Sequence, residues 1–146
     1  MIARNVSPAS GADEPSKAPR PLRILVADDD RDSVLTLMMV LRHGGHEARG
    51  VYKGADVVKA IEDFQPDAAF IDISMPDLSG YEVARRIREQ RGGDKILLIA
   101  ISGIYRKHLD VLLGTIAGFD HYLTKPYQPS DLLRLIAPLR LPAPDG

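Results

Sequence analysis

The sequence contains no cysteine, which excludes disulfide bonds, thiolate metal centres and a cysteine nucleophile together. It also lacks any apolar run near the roughly 18 residues of a membrane-spanning helix. Its first twenty residues carry acids and have no apolar segment typical of a secretory signal. A basic excess is missing too, since 19 Lys and Arg residues face 20 Asp and Glu residues. Because binding to nucleic-acid backbones needs such an excess, we expect a cytoplasmic protein without a direct nucleic-acid or membrane role.

The length of 146 residues fits one domain, since domains cluster near about 100 to 150 residues. Residues 1–20 are rich in Ser, Ala, Pro and Gly, which predicts a disordered arm that cannot offset its ordering entropy. Residues 142–146 have a similar composition and predict a flexible tail. The expected domain therefore spans residues 21–141.

Short apolar runs alternate with helical patterns through this domain. The runs are Ile24–Ala27, His46–Val51, Ala68–Ile73, Ile96–Ile101 and Tyr122–Thr124. Continuous apolar runs of this length are typical of strands buried on both faces, and the more polar second run suits a sheet edge. Between them, apolar residues recur at helical spacing, as in Leu109, Leu112, Leu113 and Ile116. Five strands alternating with five helices predict an α/β fold, a doubly wound parallel sheet with right-handed crossovers.

Polar residues follow the predicted strands directly. Asp28 and Asp29 follow the first run, Asp72 lies in the third, Ser102 and Gly103 follow the fourth, and Lys125 follows the fifth. In parallel α/β sheets the functional crevice lies outside the carboxyl ends of the strands. Any single acid here has a simpler interpretation as a helix-start residue. Asp72 fits that interpretation less well, because it interrupts an apolar strand where a lone charge is costly.

Taken together, these residues indicate phosphoryl chemistry. Carboxylates from neighbouring strands repel each other, and a hard divalent cation such as Mg²⁺ is the usual remedy. The Ser102 hydroxyl, the Lys125 ammonium and a closely approaching Gly103 N–H would favour a phosphoryl group beside it. Neither a Ser/His/Asp arrangement nor a P-loop sequence is found. We therefore expect magnesium-dependent phosphoryl transfer onto a carboxylate.

Four segments carry a family resemblance: ILVADDD, FIDISMPDLSGYEVARRIR, IAISG and GFDHYLTKP. By their order and separation, the chain resembles the receiver domain of two-component response regulators over nearly all of residues 21–141. The resemblance implies a flavodoxin-like (βα)5 fold with strand order 2-1-3-4-5. Its donor partner would be a sensor histidine kinase or a histidine phosphotransfer protein, and a downstream protein target would read the result.

The resemblance also implies roles for individual residues. Asp72 corresponds to the phosphoacceptor, which takes the phosphoryl group from a phosphohistidine. Asp28 and Asp29 correspond to the acidic pair that holds Mg²⁺, together with Asp72 and the backbone carbonyl of Ser74. Such a domain is a phosphoacceptor rather than a turnover enzyme.

A second group of residues corresponds to the family's phosphate-binding and switch positions. Ser102, Gly103 and Lys125 would engage the phosphoryl group, and the Lys125–Pro126 bond is commonly cis in this family. Tyr122 stands at the aromatic switch position, where it would rotate from solvent toward the sheet as Ser102 moves inward. Residues 102 and 103 are Ser-Gly rather than the commoner Thr-Ala, as in many receivers attached to hybrid kinases. We expect a stand-alone receiver, or a receiver cut from a larger chain, that is a monomer or a weak dimer.

Two other interpretations stay open from the sequence. A haloacid-dehalogenase-type phosphatase would use Asp28 and Asp30 as nucleophile and acid, although Arg31-Asp32 departs from that pattern and no late acidic metal motif follows Lys125. A pseudo-receiver would keep the fold as a binding module without phosphorylation. The four histidines lack metal-ligand spacing and are expected in loops and on the surface: His43, His46, His108 and His121.

Overall fold

The fold is described by a computed structural model covering residues 20–103 and 107–140. Its strands are β1 (Arg23–Ala27), β2 (Glu47–Val51), β3 (Ala68–Asp72), β4 (Leu97–Gly103) and β5 (His121–Lys125). Its helices are α1 (Arg31–His43), α2 (Val57–Phe64), α3 (Gly80–Glu89), α4 (Lys107–Ala117) and α5 (Pro129–Ile136). The proposed arm up to residue 19 and the tail from residue 142 lie outside the described residues.

The strands form one parallel sheet in the order β2-β1-β3-β4-β5. The predicted doubly wound, flavodoxin-like fold is therefore confirmed. On β1, Leu25 packs with α2 and α3 on one face of the sheet, whereas Ile24 packs with α1 and α5 on the other. Because both faces are covered, successive residues of a central strand are buried alike. This explains why the central runs are continuously apolar.

The acids after β1 also shape the start of α1. Asp30 is the N-cap residue, and its side chain accepts a hydrogen bond from the backbone N–H of Asp32 at 3.2 Å. The α1 helix therefore begins at Arg31, directly after these acids. A carboxylate there also suits the positive end of the helix dipole.

The α4 helix lies where the spacing predicts it, but its apolar stripe faces away from the sheet. The exposed fractions are 47% for Leu109, 61% for Leu112, 37% for Leu113 and 77% for Ile116. The inward side carries Gly114 instead, where an added Cβ would lie 2.7 Å from Cε1 of Tyr122. Periodicity shows that residues share a helix face, whereas the space available against the sheet decides which face turns inward.

His46 departs from its expected surface position. Only 6% of it is exposed, and its Nδ1 accepts a hydrogen bond from the backbone N–H of Leu22 at 3.1 Å. Burial, together with the positive charge of Arg140, lowers the pKa of His46. Among the described helices, none combines the length and apolar composition needed to cross a bilayer.

Candidate phosphoryl-transfer site

The polar residues identified at the strand ends meet at one edge of the sheet. Asp72 is the last residue of β3 and is in register with Ile101 of β4. Gly103, at the end of β4, is in register with Lys125, at the end of β5. Asp28 directly follows β1. This alignment arises because parallel strands all end on the same side.

Three carboxylates converge at this edge. Asp28, Asp29 and Asp72 each offer an oxygen, and these atoms all lie within 4.8 Å of one another. Asp28 and Asp72 are buried, whereas Asp29 is exposed. The backbone N–H of Asp30 donates to Oδ1 of Asp28 at 3.0 Å and holds that side chain in place. Clustered hard oxygen donors with one side open to water fit Mg²⁺, which keeps several of its own waters.

The ammonium of Lys125 faces this cluster. Nζ of Lys125 lies 3.4 Å from Oδ2 of Asp28 and 3.7 Å from Oδ2 of Asp72. Burial raises the pKa of Asp28 to about 6, and the nearby charge of Asp72 adds to this effect. Burial acts to lower the pKa of Lys125, but the Asp72 and Asp28 carboxylates outweigh it, so the pKa is raised. The site thus keeps a charged lysine and an excess of negative charge that a cation would neutralise.

The two carboxylate oxygens of Asp72 have different surroundings. Oδ1 accepts hydrogen bonds from the backbone N–H and from the hydroxyl of Ser74, both at 2.9 Å. Oδ2 faces Lys125. The sequence pointed only to the backbone carbonyl of Ser74, and its hydroxyl contact was missed. Its position two residues after an acid at a strand end is the local signal for it, since such side chains commonly fold back in turns.

Ser102 and Gly103 occupy the end of β4 at this edge. Ser102 is buried, with 5% of it exposed, and Gly103 is exposed. A Cβ added at Gly103 would meet no atom of the described chain within 4 Å. The open space there leaves room for a group to approach the backbone closely. The Lys125–Pro126 bond is cis, as the family resemblance implied.

Tyr122 packs against α4. Its hydroxyl donates to the backbone carbonyl of Val111 at 3.0 Å and lies 2.5 Å from the Thr115 hydroxyl oxygen. Its ring fills the space left by Gly114. The side chain is half-buried, so the expectation that the ring begins in solvent does not describe this conformation.

Tyr127 lies near the site, and sequence reasoning did not single it out. It is half-buried and follows the Lys125–Pro126 pair. Burial raises its pKa, the positive charge of Lys125 opposes that shift, and the charges of Asp28 and Asp72 add to it. A phenol therefore lies within electrostatic reach of both buried carboxylates.

Comparison with known proteins identifies the family. Residues 24–137 match the response regulator receiver domain. The chain is 34% identical over 119 residues to the DNA-binding response regulator MtrA of Mycobacterium tuberculosis, covering 81% of this chain and 50% of MtrA. It is 35% identical over 126 residues to the response regulator MprA of a Mycobacterium species, covering 86% and 54%. The chain thus spans about half the length of these relatives.

A solved structure agrees with this match. The receiver domain of the sensor histidine kinase PA1611 from Pseudomonas aeruginosa, with a magnesium ion coordinated in its active-site cleft, aligns with a TM-score of 0.73. It is 28% identical to this chain, and the alignment covers 80% of this chain and 95% of that one. The chain belongs to the response regulator receiver family of two-component signalling. The haloacid-dehalogenase interpretation is therefore wrong.

The raised pKa of Asp28 gives a prediction for the metal-free protein. A folded-state pKa of about 6, above the usual value near about 3.9, means that the fold disfavours the charged form. The contribution of Asp28 to stability is thus full below the unfolded pKa and is lost as pH rises through about 6. In chelator at pH 7.5, we expect Asp28→Asn to raise the free energy of unfolding by about 1–2 kcal/mol.

Thermal melts in chelator at pH 7.5 and pH 4 would measure this effect, and the gain should shrink at the lower pH. The exposed acid Asp32 provides the control, since Asp32→Asn should change stability little at either pH. A lower melting temperature for Asp28→Asn at pH 7.5 would contradict the assignment of an unneutralised cluster.

Proposed function

We propose that this chain is a phosphoacceptor in a two-component phosphorelay, with Asp72 receiving the phosphoryl group of a phosphohistidine. The observation that carries the proposal is the convergence of Asp28, Asp29 and Asp72 beside Lys125 at one edge of the sheet. Family membership supports it, because receiver domains are the phosphoacceptors of two-component signalling. The donor is a sensor histidine kinase or a histidine phosphotransfer protein.

In the transfer, a carboxylate oxygen of Asp72 forms a bond to phosphorus as the bond from phosphorus to the imidazole nitrogen breaks. The bonding electron pair returns to the imidazole, and an acyl phosphate remains on Asp72. Asp28, Asp29, Asp72 and the backbone carbonyl of Ser74 would hold Mg²⁺, which offsets the anionic oxygens. Lys125, already beside Oδ2 of Asp72, compensates the charge that the phosphoryl group brings.

The same phosphoryl group would set the output state. Ser102 and the Gly103 N–H bind its oxygens, which draws the end of β4 inward. Tyr122 and α4 respond together, because the Tyr122 hydroxyl is bonded to the backbone of α4. The surface formed by α4, β5 and α5 then changes for a downstream protein target. Phosphorylation shifts the two states only through its differential contacts with them.

The product is a modified protein rather than a released substrate, so the domain acts as a switch and not as a turnover enzyme. MtrA is a DNA-binding response regulator, but this chain spans only half of that protein. The near balance of charge in this chain favours a protein target over direct contact with nucleic acid. A monomer or a weak dimer would suffice for this role.

Incubation with acetyl phosphate tests the proposal. With Mg²⁺, we expect one phosphoryl group per chain, mapped by peptide mass spectrometry to the segment that contains Asp72. With chelator, we expect none. A pseudo-receiver would take up no phosphoryl group under either condition, and a phosphatase would release phosphate continuously without accumulating an adduct. Either result would overturn the proposal.

A further inference from the structure

The segment that follows Asp72 has an anchor outside the site. Residues 73–79, the acceptor segment, connect β3 to α3 and carry Ser74. Its two ends meet, because the backbone N–H of Gly80 donates to the carbonyl of Ile73 at 3.0 Å. A Cβ at Gly80 would lie 2.7 Å from Cα of Ile73. Met75 is buried in the core and fixes the inner side of the segment.

Asp77 fixes the outer side through a different part of the chain. Its Oδ1 accepts the backbone N–H of Gly54, and its Oδ2 accepts the backbone N–H of Ala55, both at 3.0 Å. These N–H groups begin the short helical turn Gly54–Asp56 that follows β2. The first N–H groups of a helical turn lack partners within it, so both oxygens of Asp77 satisfy donors that need an acceptor. The same bonds lower the pKa of Asp77 and keep it a carboxylate.

The acceptor segment and this turn also touch directly. A Cβ at Gly54 would lie 2.6 Å from the backbone oxygen of Leu78 and 2.8 Å from its Cβ. Residue 54 must therefore be small for the two loops to approach this closely. The acceptor segment is held by the core on one side, by Asp77 on the other and by its own closing bond at Gly80.

We infer that Asp77 is a positioning residue for metal binding, because it clamps the acceptor segment to the Gly54–Asp56 turn and so fixes the Ser74 carbonyl. This inference rests on the proposed function, in which that carbonyl is a Mg²⁺ ligand. Mg²⁺ demands near-ideal octahedral geometry, so a mobile carbonyl weakens its binding. The nucleophile Asp72 and Lys125 lie at the ends of β3 and β5, so we expect their positions to be retained when Asp77 is replaced.

The inference predicts that replacing Asp77 changes the affinity for Mg²⁺ but not the maximal rate of phosphoryl uptake. Asp77→Ala should raise the dissociation constant for Mg²⁺ by about tenfold, the scale seen when residues that orient metal ligands are removed. At saturating Mg²⁺, the maximal rate of phosphoryl uptake from acetyl phosphate should stay within about twofold of wild type, because the bound ion then holds the Ser74 carbonyl and the substitution leaves Asp72 and Lys125 unchanged. Asp77→Asn keeps one acceptor oxygen and should fall between wild type and Asp77→Ala.

The measurement is a Mg²⁺ titration followed by amide chemical shifts, with acetyl phosphate kinetics at several Mg²⁺ concentrations. In the metal-free protein, the amides of Gly54 and Ala55 should shift in Asp77→Ala, which reports the lost bonds independently of activity. Asp67→Ala is the matched control. Asp67 is also a loop carboxylate that accepts a backbone N–H, from Arg23 at 2.9 Å, but it precedes β3 at the opposite edge of the sheet.

The outcomes separate this inference from the proposed function. If wild type binds Mg²⁺ and takes up phosphate while Asp77→Ala has the same dissociation constant, the positioning role is refuted. An equal weakening in Asp67→Ala would refute it as well, since the effect would then be a general loss of stability. If wild type takes up no phosphate at all, the proposed function itself fails. If Asp77→Ala does not fold, the titration of Asp77→Asn decides, and an unchanged dissociation constant overturns the inference.

Discussion

Asp72→Asn should abolish phosphoryl uptake, lowering incorporation from a phosphohistidine donor by about a thousandfold or more. The amide has nearly the same shape as the carboxylate, and its oxygen can still accept from the N–H and hydroxyl of Ser74. It lacks the charged nucleophilic oxygen that faces Lys125 in the native protein. The chemistry is therefore lost while the local structure is retained.

The measurement is transfer of labelled phosphate from a histidine kinase or a histidine phosphotransfer protein, with Mg²⁺ present. Asp30→Asn is the matched control, because Asp30 is a neighbouring acid that caps α1 and is not proposed to react. It should keep uptake near the wild-type level. Label that persists on Asp72→Asn and maps to another residue would show that Asp72 is not the acceptor.

Arg88→Met should reduce the free energy of unfolding by about 3 kcal/mol. Its guanidinium donates to the backbone carbonyls of Gly118, Gly93 and Ile96 at 2.7–2.9 Å and to the Asp120 carboxylate at 2.8 Å. Its side chain is 19% exposed. Methionine keeps much of the side-chain volume but supplies no donor, so the backbone carbonyls lose a donor whose own side chain is largely shielded from water.

Urea unfolding would measure the loss, and Arg85→Met on the same helix is the control. The Arg85 side chain is 55% exposed and pairs only with carboxylates in the described contacts, those of Glu82 and Glu89. Exposed pairs of this kind contribute about 0–1 kcal/mol. Arg88→Lys should recover only part of the stability, because one ammonium cannot reproduce the planar fork of donors. Equal losses in Arg88→Met and Arg85→Met would show that the carbonyl contacts contribute little.

The strands and the acidic edge were predictable for related reasons. A run such as Ile24–Ala27 is apolar throughout because helices cover both faces of the sheet. Burial on both faces can therefore be recognised from an unbroken apolar run in the sequence. Asp28 and Asp72 could be placed together because parallel strands bring their carboxyl ends to one edge. These inferences need only local pattern and the topology of the α/β class.

Hydrogen bonds between loops that are distant in the sequence leave no comparable signal in the sequence pattern. Asp77 bonds to Gly54, which lies 23 residues earlier, and Arg88 bonds to Gly118, which lies 30 residues later. In the sequence, Asp77 is one acid in a turn and Arg88 one base in a charged helix. Their partners are backbone groups, which every residue possesses, so residue identity does not reveal the pairing.

The sequence by itself therefore determined the parallel strands and the set of polar groups at the strand ends, because both follow from periodicity and chain order. It also indicated the family, through the resemblance of four short segments to the receiver domain. The tertiary structure alone decided that the leucines of α4 face outward, that His46 is buried and that Asp77 holds the acceptor segment. The physical reason is that these features depend on the direction in which a side chain points and on the space its neighbours leave. Both are fixed only when distant parts of the chain pack together.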